Sequence, residues 1–489
     1  MNLAMLAEMA AGACPDRVAL VTAGEAVTYA ELFERSRGVA SLLERHDARH
    51  VALLDENSAA VPALVYGSAL AGRAFVPLNY RLDDARLRSA LAGIAPVLVV
   101  GRSEALGRVA GIPGVTPVLR EEVERAAPAA PSTGAAPDDI AALLFTSGTS
   151  GAPKAAVLRH RHLVSYVIST VEFMAAGEDE AILVSVPPYH IAGISSMLTS
   201  VYAGRRMVQL PAFGAEEWVA LARDEAVTHA MVVPTMLGRV LDVLERDGER
   251  LPALRHLSYG GGRMPAQVVE RALALLPHVG FVNAYGLTET SSTIAVLGPE
   301  EHRLGRKLGS VGRPLPSVEV EIRDRAGAAL PPGEPGEIWV RGEQVSGEYL
   351  SHRAVAADGW FPTRDGGRLD EDGFLYVDGR ADDVIVRGGE NLSPGEIEEV
   401  LAAHPAVADA AVVGVPDQEW GECPVALVVF APGRSADGEE LRSWVRARLR
   451  SSKTPVRVHV RDELPYNETG KLLRRVLREE LVRGERVRV

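Results

Sequence analysis

The chain has 489 residues, 47% of them hydrophobic, which is enough to bury a large core and, by length, points to more than one domain. A formal net charge of −13 argues against nucleic acid or an anionic membrane as partner, and leaves room only for a local basic pocket that could hold a phosphate. Only two cysteines occur, Cys14 and Cys423, with neither metal nor redox spacing, so no disulfide framework is expected.

In chain order, Met1 to Leu20 carries Glu8 within its apolar stretch and no basic segment before it, unlike a secretory signal. No apolar run approaches the roughly 20 residues of a membrane span, and the expected location is the cytoplasm. Short apolar runs then alternate with helical patterns: Arg17 to Thr22, Thr28 to His46, Val51 to Leu54, Ala59 to Leu70 and Val97 to Val100. This rhythm predicts an α/β fold of helix-covered β-sheets. Thr28 and Glu31 have capping-box spacing. Ala126 to Pro137 reads as a loop before a strand at Ile140 to Phe145.

Near the C-terminus the texture changes. Ser393, Pro394 and Glu396 supply an N-cap, an N1 proline and a capping partner for one helix, and Asp437 with Glu440 does so for another. Apolar strands at Ala410 to Val415 and Val425 to Phe430 lie between them. The expected organisation is a large N-terminal domain, residues 1–381, and a small α+β domain, residues 382–489, beginning near Asp382.

The sharpest chemical signal follows the Ile140 to Phe145 strand: Thr146, Ser147, Gly148, Thr149, Ser150, Gly151, Ala152, Pro153, Lys154. Glycines let backbone approach a polyphosphate, hydroxyls and amides donate to it, and Lys154 adds positive charge. Pro153 occupies the place of the glycine before lysine in a Walker A loop, which disfavours a P-loop NTPase. The segment from Asn283 to Glu289 joins an aromatic face for a base (Tyr285), a hydroxyl for a phosphate (Thr288) and a carboxylate able to hold Mg²⁺ (Glu289). Three further segments run from Trp360 to Asp365, Gly379 to Asp383 and Leu464 to Lys471. Asp365 can accept from both ribose hydroxyls, and Lys471 can stabilise charge on a transferring phosphoryl group. Taken singly, each has a plainer reading as a polar turn, a strand end or a solvated lysine.

Together these segments resemble the superfamily of adenylating enzymes comprising acyl-CoA synthetases, adenylation domains of nonribosomal peptide synthetases, and luciferases (the ANL superfamily). The likeness runs in order from Arg17 to Arg475, and is closest to the acyl- or aryl-CoA ligases. The resemblance implies ATP and Mg²⁺ as cofactors, a small-molecule acid as substrate, and a mobile C-terminal lid hinged at Asp382. Carried over, Thr146, Ser147, Gly148, Thr149, Ser150, Gly151 and Lys154 would bind phosphates. Tyr285, with Gly286 beside it, would stack on adenine, and Gly260, Gly261 and Gly262 would border the nucleotide. Thr288 would contact the α-phosphate, Glu289 would hold Mg²⁺, Asp365 and Arg380 would bind ribose, and Lys471 would bridge carboxylate and α-phosphate.

Pro187-Pro188-Tyr189-His190 matches the segment carrying a histidine near the carboxylate and thiol path in acyl-CoA synthetases. No aspartate lies between Pro187 and Ser200 to pair with a substrate ammonium, which disfavours an amino acid. Trp420 and the stretch Gly388-Gly389-Glu390-Asn391 resemble segments near the pantetheine channel of CoA ligases, making coenzyme A the expected acceptor and a carrier protein the alternative. Departures from the family pattern are Gly262 and Arg263 in place of alanine and proline, Arg364 in place of glycine before Asp365, and Ala155 in place of glycine after Lys154. They bear on the substrate class more than on adenylation. Two other readings stay open: adenylation of a small inorganic acid such as nitrite for transfer to an amine, which the resembled superfamily includes, or a non-catalytic nucleotide-binding protein, which the presence of Glu289, Asp365 and Lys471 disfavours.

Overall fold

The structure is a computed structural model that describes residues 1–22, 24–128, 134–146, 154–388, 390–466 and 472–483. The chain divides into two compact units. The first comprises Met1–Leu308, Gly312–Glu319 and Val340–Phe361, and the second Gly309–Val311, Val320–Trp339 and Pro362–Val489.

The first third folds as its pattern indicates, with strands Val18–Thr22, His50–Leu54 and Val97–Gly101 and helices Tyr29–Glu44 and Ala60–Leu70. Thr28 caps the first of these helices: its Oγ1 accepts the Glu31 amide at 3.2 Å, and the Glu31 carboxylate accepts the Thr28 amide at 2.8 Å. Two sheets organise this unit. A nine-stranded sheet runs in the order Arg313–Pro314, Ser292–Leu297, Gly280–Leu287, His256–Gly260, His229–Val232, Ala181–Val184, Arg206–Gln209, Val18–Thr22, Glu25–Thr28. Its interior strands are parallel and its edges antiparallel. A six-stranded sheet runs Val115–Leu119, Val97–Gly101, His50–Leu54, Ala74–Pro77, Ile140–Thr146, Lys154–Arg159, all parallel except the last strand. The Ala60–Leu70 helix is buried from Ala60 to Ala69 and shares one core with Leu20 and Met207 of the larger sheet and Leu53 and Phe75 of the smaller. Covered on all sides, it has no need of a polar stripe, which is why its sequence is apolar all round.

The second unit holds a four-stranded sheet, Glu319–Arg323, Gly336–Arg341, Phe361–Leu369 and Leu375–Arg380, and a five-stranded sheet centred on the Val407–Asp417 and Gly421–Phe430 hairpin. The hairpin's first strand outruns the expected apolar run at both ends, and its second begins earlier, at Gly421, but ends at Phe430 as expected. The apolar stretch marks only the covered centre, while polar Asp409, Asp417 and Glu422 are carried in the ladder by backbone hydrogen bonds. Ser393 and Asp437 cap their helices, accepting the amides of Glu396 (3.4 Å) and Glu440 (2.7 Å). The expected return bonds from the two glutamates are absent among the described residues. The Glu396 carboxylate binds Lys453 at 2.5 Å instead, and that of Glu440 lies 3.5 Å from His404. Asp382 falls in the turn Ala381–Asp383, between the last strand of the four-stranded sheet and the first of the five-stranded one.

Candidate active site

In open parallel sheets, ligands gather at the carboxyl ends of the strands. Three sequence motifs of the first unit fall there. Thr146 ends the parallel Ile140–Thr146 strand, and its register partner across the hairpin is Lys154, whose carbonyl accepts the Thr146 hydroxyl at 3.3 Å. Ser147, Gly148, Thr149, Ser150 and Gly151 lie outside the described residues. Gly260 ends the next motif-bearing strand, where a Cβ would sit 2.2 Å from the Ala284 carbonyl oxygen, so only glycine lets this strand approach its neighbour. Gly261, Gly262 and Arg263 continue into the following turn, with Arg263 exposed.

The adjacent Gly280–Leu287 strand carries Tyr285 and Gly286 and delivers Thr288 and Glu289 into a single 3-10 turn, Thr288–Thr290. Two serines after this turn adopt left-handed backbone, Ser291 (φ 58°) and Ser292 (φ 115°). Such residues store strain of order 1–3 kcal/mol each and persist only where the surroundings over-determine them. Here Gln344 Nε2 donates to the carbonyls of Thr290 (3.0 Å) and Thr293 (2.8 Å), and Ser292 Oγ lies 3.0 Å from Ser195 Oγ. Gly286 permits the return strand, since a Cβ there would be 1.8 Å from the Ser292 oxygen. The turn is thereby held with Thr288 half-buried and Glu289 buried.

Glu289 receives a hydrogen bond that the sequence did not suggest. Tyr349 Oη donates to its Oε1 at 2.5 Å, and Lys154 Nζ stands 6.0 Å from the centre of the Tyr349 ring. Sixty positions separate Tyr349 from Glu289, and no spacing rule connects them. His190 occupies the N-cap position of the Ile191–Ala203 helix, half-buried, its ring 4.5 Å from that of Tyr189, which in turn lies 5.5 Å from Tyr80.

In the second unit, antiparallel register places Asp365 opposite Arg380, and Arg380 Nη1 donates to Asp365 Oδ1 at 2.8 Å and to the Thr363 carbonyl at 3.2 Å. Asp365 is buried, and its amide donates to Thr363 Oγ1 at 3.1 Å. Arg364, the departure from glycine, has φ +60° and an exposed side chain. Trp420 is 45% exposed; its carbonyl accepts the Gly388 amide at 2.7 Å and the Arg387 guanidinium lies 5.6 Å from its ring centre. Lys471 lies outside the described residues, but both flanks are anchored. Tyr466 bridges Leu472, and its hydroxyl donates to Asp409 at 2.8 Å, a carboxyl that burial pushes above its ordinary range. Arg474 forks onto Glu398 at 2.9 and 2.7 Å and approaches Asp383 at 3.7 Å.

No group of three or more potential metal ligands is found among the described residues. Glu289 fits Mg²⁺ as a lone carboxylate, because that ion keeps waters and is commonly held by one or two carboxylates with substrate phosphates. Among the described residues, no helix is long and apolar enough to cross a membrane.

The family model described as AMP-binding enzyme matches residues 7–350, and the model for the AMP-binding enzyme C-terminal domain matches residues 396–471. The chain belongs to the AMP-binding enzyme family. This places it in the adenylating superfamily that its motifs resemble. The AMP-binding enzyme is 36% identical over 474 residues to a 2-succinylbenzoate–CoA ligase of Bacillus licheniformis, covering 95% of this chain and 97% of the relative. It is 34% identical to the fatty acid–[acyl-carrier-protein] ligase ScoC of Streptomyces coeruleorubidus, covering 95% and 93%. Among solved structures, ATP-bound MatB from Rhodopseudomonas palustris superposes with a TM-score of 0.89 at 29% identity, over 99% of this chain and all of that one. The o-succinylbenzoate CoA synthetase of Bacillus subtilis, in complex with its acyl-adenylate intermediate, gives 0.84 at 32% identity, over 98% of each chain. The same synthetase in complex with ATP and magnesium gives 0.83, also at 32% identity, over 96% of this chain and 98% of that one.

Proposed function

We propose that this AMP-binding enzyme activates a carboxylic acid with ATP and passes the acyl group to coenzyme A. A carboxylate oxygen attacks the α-phosphorus, the bond to the bridging oxygen breaks, and pyrophosphate leaves. The thiol then attacks the mixed anhydride's carbonyl carbon, losing its proton as AMP departs. Positioning and charge stabilisation do most of this work.

The observation that carries the reading is that Thr146, Gly260 and the Thr288–Glu289 turn each stand at the carboxyl end of a strand with a parallel neighbour, in a chain aligned almost end to end with a CoA ligase. In this assignment the segment from Thr146 to Lys154 takes the phosphates, Tyr285 and Gly286 take adenine, with Gly260, Gly261 and Gly262 at its border, and Thr288 takes the α-phosphate. Bound at Glu289, Mg²⁺ would neutralise phosphate charge. Asp365 would accept from the ribose hydroxyls, with Arg380 holding its carboxylate in place. Lys471 stabilises the first transition state, His190 lies on the carboxylate and thiol path, and Trp420 borders the path of pantetheine. Asp382 is the hinge of residues 382–489 against residues 1–381. The cytoplasm is the proposed location.

Pyrophosphate release across aryl, alkyl, amino and inorganic acids, each with and without CoA, tests the reading. Expected is release that depends on a carboxylic acid, with CoA consumed and AMP formed in equal amounts. Release with nitrite and no CoA consumption would replace it, and ATP binding without turnover on any acid would refute it. The similarity to ScoC supports one further acceptor, an acyl carrier protein, which would take the acyl group where CoA does not.

A further inference from the structure

We propose that Tyr349 is a positioning residue that orients the Glu289 carboxylate for metal binding; the inference rests on the assignment of Mg²⁺ to Glu289. The first observation is that Glu289 is clamped at both ends by one short segment. Its carbonyl accepts the amides of Ser346 (2.8 Å) and Gly347 (3.1 Å), while its Oε1 accepts the Tyr349 hydroxyl at 2.5 Å. A carboxylate held through one oxygen cannot rotate freely about its last torsion. Among the described residues, Glu289 Oε2 accepts no hydrogen bond, which leaves it for an ion.

The second observation is that the segment is tied to the strand that follows the phosphate motif. Tyr349 forms a β-bridge with Ala156, the Val157 amide donates to the Glu348 carbonyl at 2.8 Å, and the Leu350 amide donates to the Ala155 carbonyl at 3.0 Å. Arg159 forks onto the Glu348 carboxylate at 2.9 and 2.7 Å. Tyr349 therefore stands between two charged groups from distant segments, its hydroxyl on Glu289 and its ring 6.0 Å from Lys154 Nζ, at the outer range of a cation–π contact. Partners that fix the orientation of a metal-binding carboxylate are commonly worth 10–100-fold in metal affinity. The same hydroxyl has no such leverage over nucleotide bound without metal.

The test uses the full-length protein and Mn²⁺ as probe, with free Mn²⁺ followed by electron paramagnetic resonance in the presence of a non-hydrolysable ATP analogue. Tyr349→Phe keeps the ring and is expected to weaken Mn²⁺ binding by about 10–100-fold. Binding of the analogue in EDTA is expected to stay at its wild-type value, while the melting temperature falls by a few degrees because the buried carboxylate loses its donor. His352→Ala removes the ring that stacks on Tyr349 at 4.9 Å without touching the hydroxyl, and is expected to bind Mn²⁺ as wild type does. Wild-type Mn²⁺ affinity in Tyr349→Phe overturns the inference, as does equal weakening in His352→Ala, which would mark mere loosening of the segment. Glu289→Gln separates the two levels: it is expected to bind Mn²⁺ weakly and to lose nothing more when Tyr349→Phe is added. Undiminished Mn²⁺ binding in Glu289→Gln would overturn the metal assignment itself, and this inference with it.

Discussion

Replacing Arg364 by glycine should make the protein more stable while leaving Asp365 in place. Arg364 has φ +60°, where a Cβ crowds the following carbonyl, at a cost of roughly 1–2 kcal/mol that glycine does not bear. Glycine adds freedom to the unfolded chain, offsetting about 0.5–1 kcal/mol of that gain. The arginine side chain is exposed, so little packing is lost. A net stabilisation of about 0.5–1 kcal/mol remains, equivalent to roughly 1–4 °C in the melting of a unit this size. The control is Arg364→Ala, which removes the guanidinium but keeps the Cβ, and should change stability by less than about 0.5 kcal/mol. Calorimetry of the three proteins, with and without ATP, reads the effect. The Asp365–Arg380 hydrogen bond and the Asp365 amide bond to Thr363 do not involve the replaced side chain, so the ATP-induced shift should match that of wild type. A glycine variant no more stable than wild type, or an alanine variant equally stabilised, would refute the backbone argument.

Other expectations concern chemistry, packing and pH. Lys471→Ala should suppress acyl-AMP formation far more than thioester formation from supplied acyl-AMP, since one charge serves the first transition state; equal losses in the two half-reactions would remove that role. Arg474→Met strands the buried Glu398 carboxylate and should cost about 3–5 kcal/mol in urea unfolding of the second unit, most of it recovered by adding Glu398→Gln. Burial lowers His160 and His162 from the ordinary 6.5 to about 4, and the Leu3 amide donates to His160 Nδ1 at 3.3 Å, so the fold requires at least His160 neutral. With folded values below unfolded ones, the unfolded chain binds more protons between these limits. Stability should therefore fall as pH drops from 6.5 towards 4, by up to about 1.4 kcal/mol per pH unit for each group, and His162→Asn should flatten the slope. Stability independent of pH across that window would contradict the burial argument.

What the chain determines locally was readable in it. The alternation of apolar runs with helical patterns, the Thr28–Glu31 cap and the caps at Ser393 and Asp437 depend on residues within about four positions of one another, and such contacts repeat wherever the spacing repeats. The phosphate motif, the Asn283 to Glu289 segment and Asp365 stand out in the sequence for a related reason: their residue types are those that phosphate, base and ribose binding call for. Only the tertiary structure brought Tyr349 to Glu289 and Gln344 to the carbonyls of Thr290 and Thr293, because contacts across 50 to 60 positions depend on how strands stack and not on any period. It likewise decided that Arg364 sits in left-handed backbone, that Glu396 turns from its cap to Lys453, and that Val320–Trp339 joins the second unit ahead of its place in the chain. In each case the deciding energy lies in packing and register between distant segments, and the residues that compete for a partner do so only after the chain has brought them together.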